Sequence, residues 1–179
     1  MSKKAVIVYW SKSGNTEKVA NAIRDGLVDA GLGVSVVRTE AAEDVDYFDY
    51  DLVCVGFPSY SWHPPGPMVD FLKARMNRYS KEGRVKIGCP KVPEKSALVF
   101  CTYSGPHTGI DEATPAGKYA AQFFEHVGFT VLGEWYVLGE FHGWEEGSTK
   151  GPMGDIRGKP TEEELGKIRE DAEKLGRGL

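Results

Sequence analysis

Cysteine is scarce, with three residues in a chain of 179, at positions 54, 89 and 101. An odd, widely spaced set excludes a disulfide framework and does not have the paired spacing of zinc or iron–sulfur sites. Cys54 and Cys101 fall within apolar runs and read as small buried hydrophobes. Neither sits at a helix N-terminus, where a thiolate would be stabilised. The four histidines, His63, His107, His126 and His142, show no metal-ligand spacing. Long hydrophobic runs are missing as well. Ala5 to Trp10 and Leu52 to Phe57 reach about a third of the ~20 residues that a membrane span requires, so no crossing of a membrane is expected. Behind Met-Ser-Lys-Lys only the first of these short runs follows, with no small-residue cleavage site. No export leader is therefore expected, and the cytoplasm is the expected compartment.

What is present suits a folded chain. With 41% hydrophobic and 27% charged residues, the composition is neither that of a disordered segment nor that of a fibre. Residues 1–179 are expected to form one domain with its own core. The formal charge of −4 conceals an asymmetry: Lys73 to Lys95 carry eight Lys/Arg against two Glu, a local +6 that leaves −10 elsewhere. The stretch lacks the interleaved aromatics of a nucleic-acid surface and the whole chain is acidic, so nucleic-acid binding is not expected. A solvated helix face running into a loop, or a docking site for an acidic protein partner, both fit.

Hydrophobic spacing orders the chain into alternating elements. Ala5 to Tyr9 is a compact Val/Ile run that suits a buried parallel strand. From Thr16, the positions Val19, Ala20, Ile23, Leu27 and Ala30 recur at three and four, and Gly31 stops the helix. Val34 to Arg38, Asp51 to Phe57, Ser96 to Thr102 and Val131 to Leu138 read as further strands, with a bulge or close packing point at Gly133. A short helix is expected within Ala41 to Tyr50. A helix from Pro67 carries Met68, Leu72, Met76 and Tyr79 on one face. Thr114 before Pro115 reads as the N-cap of another helix, which Gly128 ends. After a Gly-rich loop from Gly139 to Gly158, Thr161 and Glu164 make a capping box for the last helix. This alternation predicts an α/β fold in which helices cover both faces of a five-stranded, doubly wound parallel sheet. Ligands of such sheets bind outside the carboxyl ends of the strands, which singles out the loops after the first, third and fourth strands.

The first loop, Ser11-Lys12-Ser13-Gly14-Asn15-Thr16, places hydroxyls and a glycine at a helix start, where outward-facing amides favour an anion such as a phosphate. It lacks the G-x-G-x-x-G of dinucleotide folds and the G-x-x-x-x-G-K-[ST] of nucleotide triphosphatases. The second loop carries Pro58, Ser59, Tyr60, Ser61 and Trp62 and is stiffened by further prolines. The third carries Thr102, Tyr103, Ser104, Gly105, His107 and Gly109.

The stretch from Val6 to Ala20, with Ser11-Lys12-Ser13-Gly14-Asn15-Thr16 at its centre, resembles the phosphate-loop signature of the flavodoxin family, and the order of elements resembles that family along nearly the whole chain. The resemblance implies a three-layer sandwich with strand order 2-1-3-4-5 and flavin mononucleotide (FMN) as cofactor. It also implies that Ser11, Ser13, Asn15 and Thr16, with the Gly14 amide, hold the 5′-phosphate, while Lys12 either adds charge or faces solvent. Trp62, or else Tyr60, would stack on one face of the flavin ring and Tyr103 on the other. Gly105 and Gly109 would let amides approach the ring's pyrimidine edge. His107 would either offer a proton or hydrogen bond near the flavin or stabilise its own loop.

Three functions remain open on the sequence. The first is an electron carrier between redox proteins, with no residue in covalent catalysis and no catalytic residue assigned. The second is an FMN-dependent oxidoreductase that oxidises NAD(P)H and reduces a quinone or flavin. The third is a regulatory or scaffold domain that has lost its flavin. The long Gly139 to Gly158 loop sets the chain apart from small acidic carriers. With Phe141, His142, Trp144 and Met153, it could cover the flavin, form a dimer contact or pack on the sheet.

Overall fold

The computed structural model describes residues 2–179. Five parallel strands, β1 (Lys4–Tyr9), β2 (Gly33–Arg38), β3 (Leu52–Pro58), β4 (Ser96–Tyr103) and β5 (Thr130–Leu138), form one sheet in the order β2-β1-β3-β4-β5. The helices are α1 (Asn15–Asp29), α2 (Gly66–Lys81), α3 (Thr114–His126), the short α4 (Glu145–Thr149) and α5 (Glu162–Arg177).

The twofold alternation of strand side chains builds the layers. Ala5, Ile7, Leu52, Cys54, Leu98 and Phe100 face one side of the sheet and pack with Val19, Ile23 and Leu27 of α1 and Ala172 of α5. Val6, Val8, Val53, Val55, Val99 and Cys101 face the other side, with Met68, Leu72 and Tyr79 of α2 and Ala120 and Phe124 of α3. Being buried on both faces, the central strands read as unbroken apolar runs. The bulge expected at Gly133 falls beside it: Ala97 pairs with Val131 and Leu98 with Gly133, which leaves Leu132 as the extra residue. The Thr161/Glu164 capping box is present.

Two local expectations are corrected. Thr114 is not the N-cap of α3; Ala113 takes that place, and the Thr114 hydroxyl donates back to the Ile110 carbonyl at 3.2 Å. A 3₁₀ turn over Gly109–Glu112 runs straight into the helix, so the hydroxyl has a carbonyl behind it. The segment Ala41 to Tyr50 holds one 3₁₀ turn, Tyr47–Asp49, and the last residue of another, Thr39–Ala41, in place of a helix. Arg75 of α2, only 5% exposed, donates to the Glu43 and Val45 carbonyls and satisfies them without a helical ladder.

The basic segment is largely engaged in holding this corner. Arg78 and Arg84 pair with Asp46, Lys91 donates to the Phe129 carbonyl and Lys95 to that of Tyr50. With Arg75, five of the eight positive charges thus have structural partners.

Burial also decides the thiols. Cys54 and Cys101 are fully enclosed, and burial pushes the Cys101 thiol up to about 12 and that of Cys54 higher still. Cys89 is only partly buried. Native protein treated with a thiol-specific chromogenic reagent near neutral pH should therefore release about one equivalent, from Cys89, and about three after denaturation. Fast release of more than one equivalent from folded protein would show that the two strand thiols are reachable.

Candidate functional site

The loops after β1, β3 and β4 converge on the carboxyl edge of the sheet around a cleft of about 920 Å³. Of the residues singled out in those loops for the cofactor, all line it except Gly14, which sits behind as the N-cap of α1, and Gly109, which opens the 3₁₀ turn after the third loop. Gly14 adopts φ 95° and its amide donates to the Ser11 hydroxyl at 3.1 Å, so the chain turns sharply and presents the start of α1 to the cleft. Lys12 and Ser13 are exposed, while Ser11, Asn15 and Thr16 are buried. The Thr16 and Thr102 hydroxyls meet at 2.8 Å and tie the first loop to the third. Behind the loop, Arg38 of β2 donates to the Ser11 carbonyl at 2.8 Å and lies over the Tyr9 ring, whose hydroxyl bonds Glu17.

In the second loop Tyr60 and His63 exchange backbone hydrogen bonds of 2.9 and 3.0 Å around Ser61 and Trp62, both left-handed at φ 48° and 67°. Two consecutive non-glycine residues in that region are costly, and such strain concentrates at binding sites. The turn leaves Trp62 61% exposed at the cleft, while Tyr60 packs edge-on against Trp10. His63 turns to Tyr119 and does not line the cleft.

On the opposite wall Tyr103 lines the cleft but is only 8% exposed, and burial raises its phenol so that it stays neutral. Glu112 accepts hydrogen bonds from the His107 and Thr108 amides, both at 2.7 Å, and thereby fixes the third loop. Its backbone oxygen accepts from Ser59 of the second loop. Glu112 and Arg38 carry no local sequence signal; their roles come from chain crossings that spacing does not reveal.

The late loop, whose role the sequence leaves open, also reaches the site. Glu140, Phe141, His142 and Trp144 line the cleft, so this segment covers part of the site. Asn15 donates to the Glu140 carbonyl at 3.1 Å, and Ser104 to that of Gly139 at 2.8 Å. Trp144 packs edge-on against Phe141 and near the His107 ring.

An amide-rich helix start between neutral hydroxyls, with aromatic walls on either side, is a receptor for a flat ring carrying a phosphate. The fold and cleft therefore define a cofactor-binding α/β protein of the doubly wound class. The family model described as Flavodoxin matches residues 7–172, and the chain belongs to the flavodoxin family. The flavodoxin of Megasphaera elsdenii is 42% identical over 53 residues, 30% of this chain and 39% of that protein. The flavodoxin of Clostridium beijerinckii is 34% identical over 50 residues, 28% of this chain and 36% of that one. These matches span less than two fifths of either relative. The crystal structure of oxidised flavodoxin 1 from Bacillus cereus superposes with a TM-score of 0.66 at 17% identity, covering 98% of this chain and 99% of that one, a likeness of fold. Proteins of this family bind FMN, and the donor set at the start of α1 fits its phosphate.

Proposed function

We propose that this chain is a single-domain electron carrier that holds FMN in the cleft and exchanges electrons with redox proteins. The observation that carries the reading is the convergence of the first, second and third loops on one cleft at the carboxyl edge of the sheet. Bound there, FMN would supply all the redox chemistry, and the protein would set its potential through stacking, charge and hydrogen bonds. Ser11, Ser13 and Thr16 with the amides at the start of α1 would hold the phosphate. Pro58 to Trp62 would form one wall against the ring and Thr102 to His107 the other, with Trp144 closing the far side.

The docking surface we assign to a partner is the mouth of the cleft around the exposed Trp62 indole. The segment Lys73 to Lys95 suits this poorly. Most of its cations hold the chain together, and its loop enters β4 at the amino end of an eight-residue strand, about 25 Å from the cleft at ~3.3 Å per residue. Among the described residues, no helix is long and apolar enough to cross a membrane.

The test is reconstitution with a slight excess of FMN, removal of the unbound fraction, and a visible spectrum before and after anaerobic NADPH. About one flavin per chain, oxidised until a separate reductase is added, is the expected result. Bleaching by NADPH alone would replace the carrier with an NADPH-oxidising enzyme, and failure to retain flavin would remove the cofactor reading altogether.

A further inference from the structure

The phosphate end of the cleft contains a group beyond neutral hydroxyls and amides. While Asn15 Nδ2 donates to the Glu140 carbonyl, Asn15 Oδ1 lies 3.3 Å from His142 Nε2. Both ends of the Asn15 amide are thus committed to the late loop. The close approach depends on Gly139, where a Cβ would stand 2.8 Å from Asn15 Nδ2. We propose that His142 is a proton-dependent ligand for the 5′-phosphate of FMN, carried to the phosphate loop by the late loop and held there on Asn15 Oδ1, from which its single Nε2–H passes to a phosphate oxygen when FMN binds. This rests on the cofactor reading above and adds to it a residue that selects phosphorylated over unphosphorylated flavin.

Three observations support the assignment. His142 lines the cleft, and its side chain is 45% exposed, so it is open to a ligand. The loop that carries it is anchored: Phe141 N donates to the Ser148 hydroxyl, Ile156 N to the Ser148 carbonyl, and Gly158 N to the Glu140 carboxylate. The charges around it leave Nε2 directed at the phosphate loop. Glu140 Oε1 lies 3.9 Å from Nδ1, on the other side of the ring. Glu17 of α1 is held by the Tyr9 hydroxyl, and Glu112 of the third loop by two amides. Arg157 is paired with Asp155 and reaches Glu145. Lys12 lines the cleft from the phosphate loop. An imidazolium donates a charge-assisted hydrogen bond to a phosphate, roughly twice as strong as a neutral one. The advantage is present below the imidazole range and lost above it.

The full-length apoprotein is titrated with FMN and, separately, with riboflavin, at about pH 6 and about pH 8.5, following the loss of flavin fluorescence. His142→Gln is expected to weaken FMN binding about tenfold at the lower pH and less than about threefold at the higher, with riboflavin unchanged at both. The second ionisation of the phosphate, near pH ~6, affects wild type and variant alike and cancels in their ratio. His142→Lys, a cation at both pH values, is expected to keep FMN tight at both. Equal losses for the two flavins, or no loss of FMN at the lower pH, would overturn the proposal. A wild-type protein that held neither flavin would overturn the cofactor reading and this inference with it.

Discussion

Gly14→Val is expected to lower FMN affinity by about 100-fold while leaving the melting temperature within about 2 °C of wild type. The residue sits at φ 95°, and a Cβ there would meet nothing within 4 Å. Space is therefore not the issue, and the outcome depends on the backbone alone. A β-branched residue in the left-handed region costs about 2–3 kcal/mol. The turn is held by two hydrogen bonds, from the Gly14 amide to the Ser11 hydroxyl and from the Lys18 amide to the Gly14 carbonyl, and only the first, worth about 1 kcal/mol, depends on the turn itself rather than on the helix start. Since strain exceeds restraint, the loop relaxes in the free protein and global stability hardly changes. FMN must then re-impose the original turn on binding, and ~2.7 kcal/mol of reversal corresponds to about 100-fold in Kd. Gly14→Asn, which tolerates this conformation, should stay within about fivefold. Fluorescence titration of both variants with FMN checks the pair, and a valine variant that binds like wild type would remove Gly14 from the phosphate loop's mechanism.

The features legible in the sequence are those written in local spacing. β1, β3 and β4 announce themselves because strands buried on both faces need a continuous apolar run. The start of α1 does so because the turn we assign to the phosphate concentrates hydroxyls and glycine in a few residues. The capping box of α5 lies within four positions. The parts that were not legible depend on residues that meet only after folding. Asn15 and Glu140 are 125 positions apart, and nothing near either one reports the other. Arg75 and Arg84 read as surface cations because a charge pattern does not disclose that carbonyls of residues 43 and 45, or Asp46, will face them. For the same reason, the basic segment reads as either a solvated face or a docking surface, and nothing local in it discloses that five of its cations have partners within the fold. Thr114 carries a local ambiguity: a threonine before a proline suits an N-cap, but a preceding 3₁₀ turn lets the same hydroxyl serve the carbonyl of Ile110.

Gly26→Ala should lower stability by about 2 kcal/mol, a substitution that on a solvent-facing helix position would raise it. A Cβ at Gly26 would lie 2.1 Å from the Arg169 carbonyl oxygen and 2.8 Å from the Ala172 Cβ. Both belong to α5, and the nearer is backbone that no rotamer change can move. One turn further along, Gly176 faces Ala30 in the same way, at 2.7 Å, so the two helices meet along a seam of small residues. Inserting a methyl forces them apart by about 1 Å or more and loosens the contacts of Leu27 and Ala172, a cost near the top of the ~1–3 kcal/mol range for overpacking. Alanine's better helix propensity returns about 1 kcal/mol. The net loss corresponds to a fall in Tm of roughly 4–8 °C for a chain of this size. Gly166→Ala, on the exposed face of α5 with nothing within 4 Å, isolates the propensity gain and should raise Tm by roughly 2–4 °C. Thermal unfolding of the two variants beside wild type therefore reads opposite signs from the same chemical change. Because Gly26 lies about 16 Å along α1 from Asn15, its FMN affinity should match wild type, the reverse of the Gly14 variant.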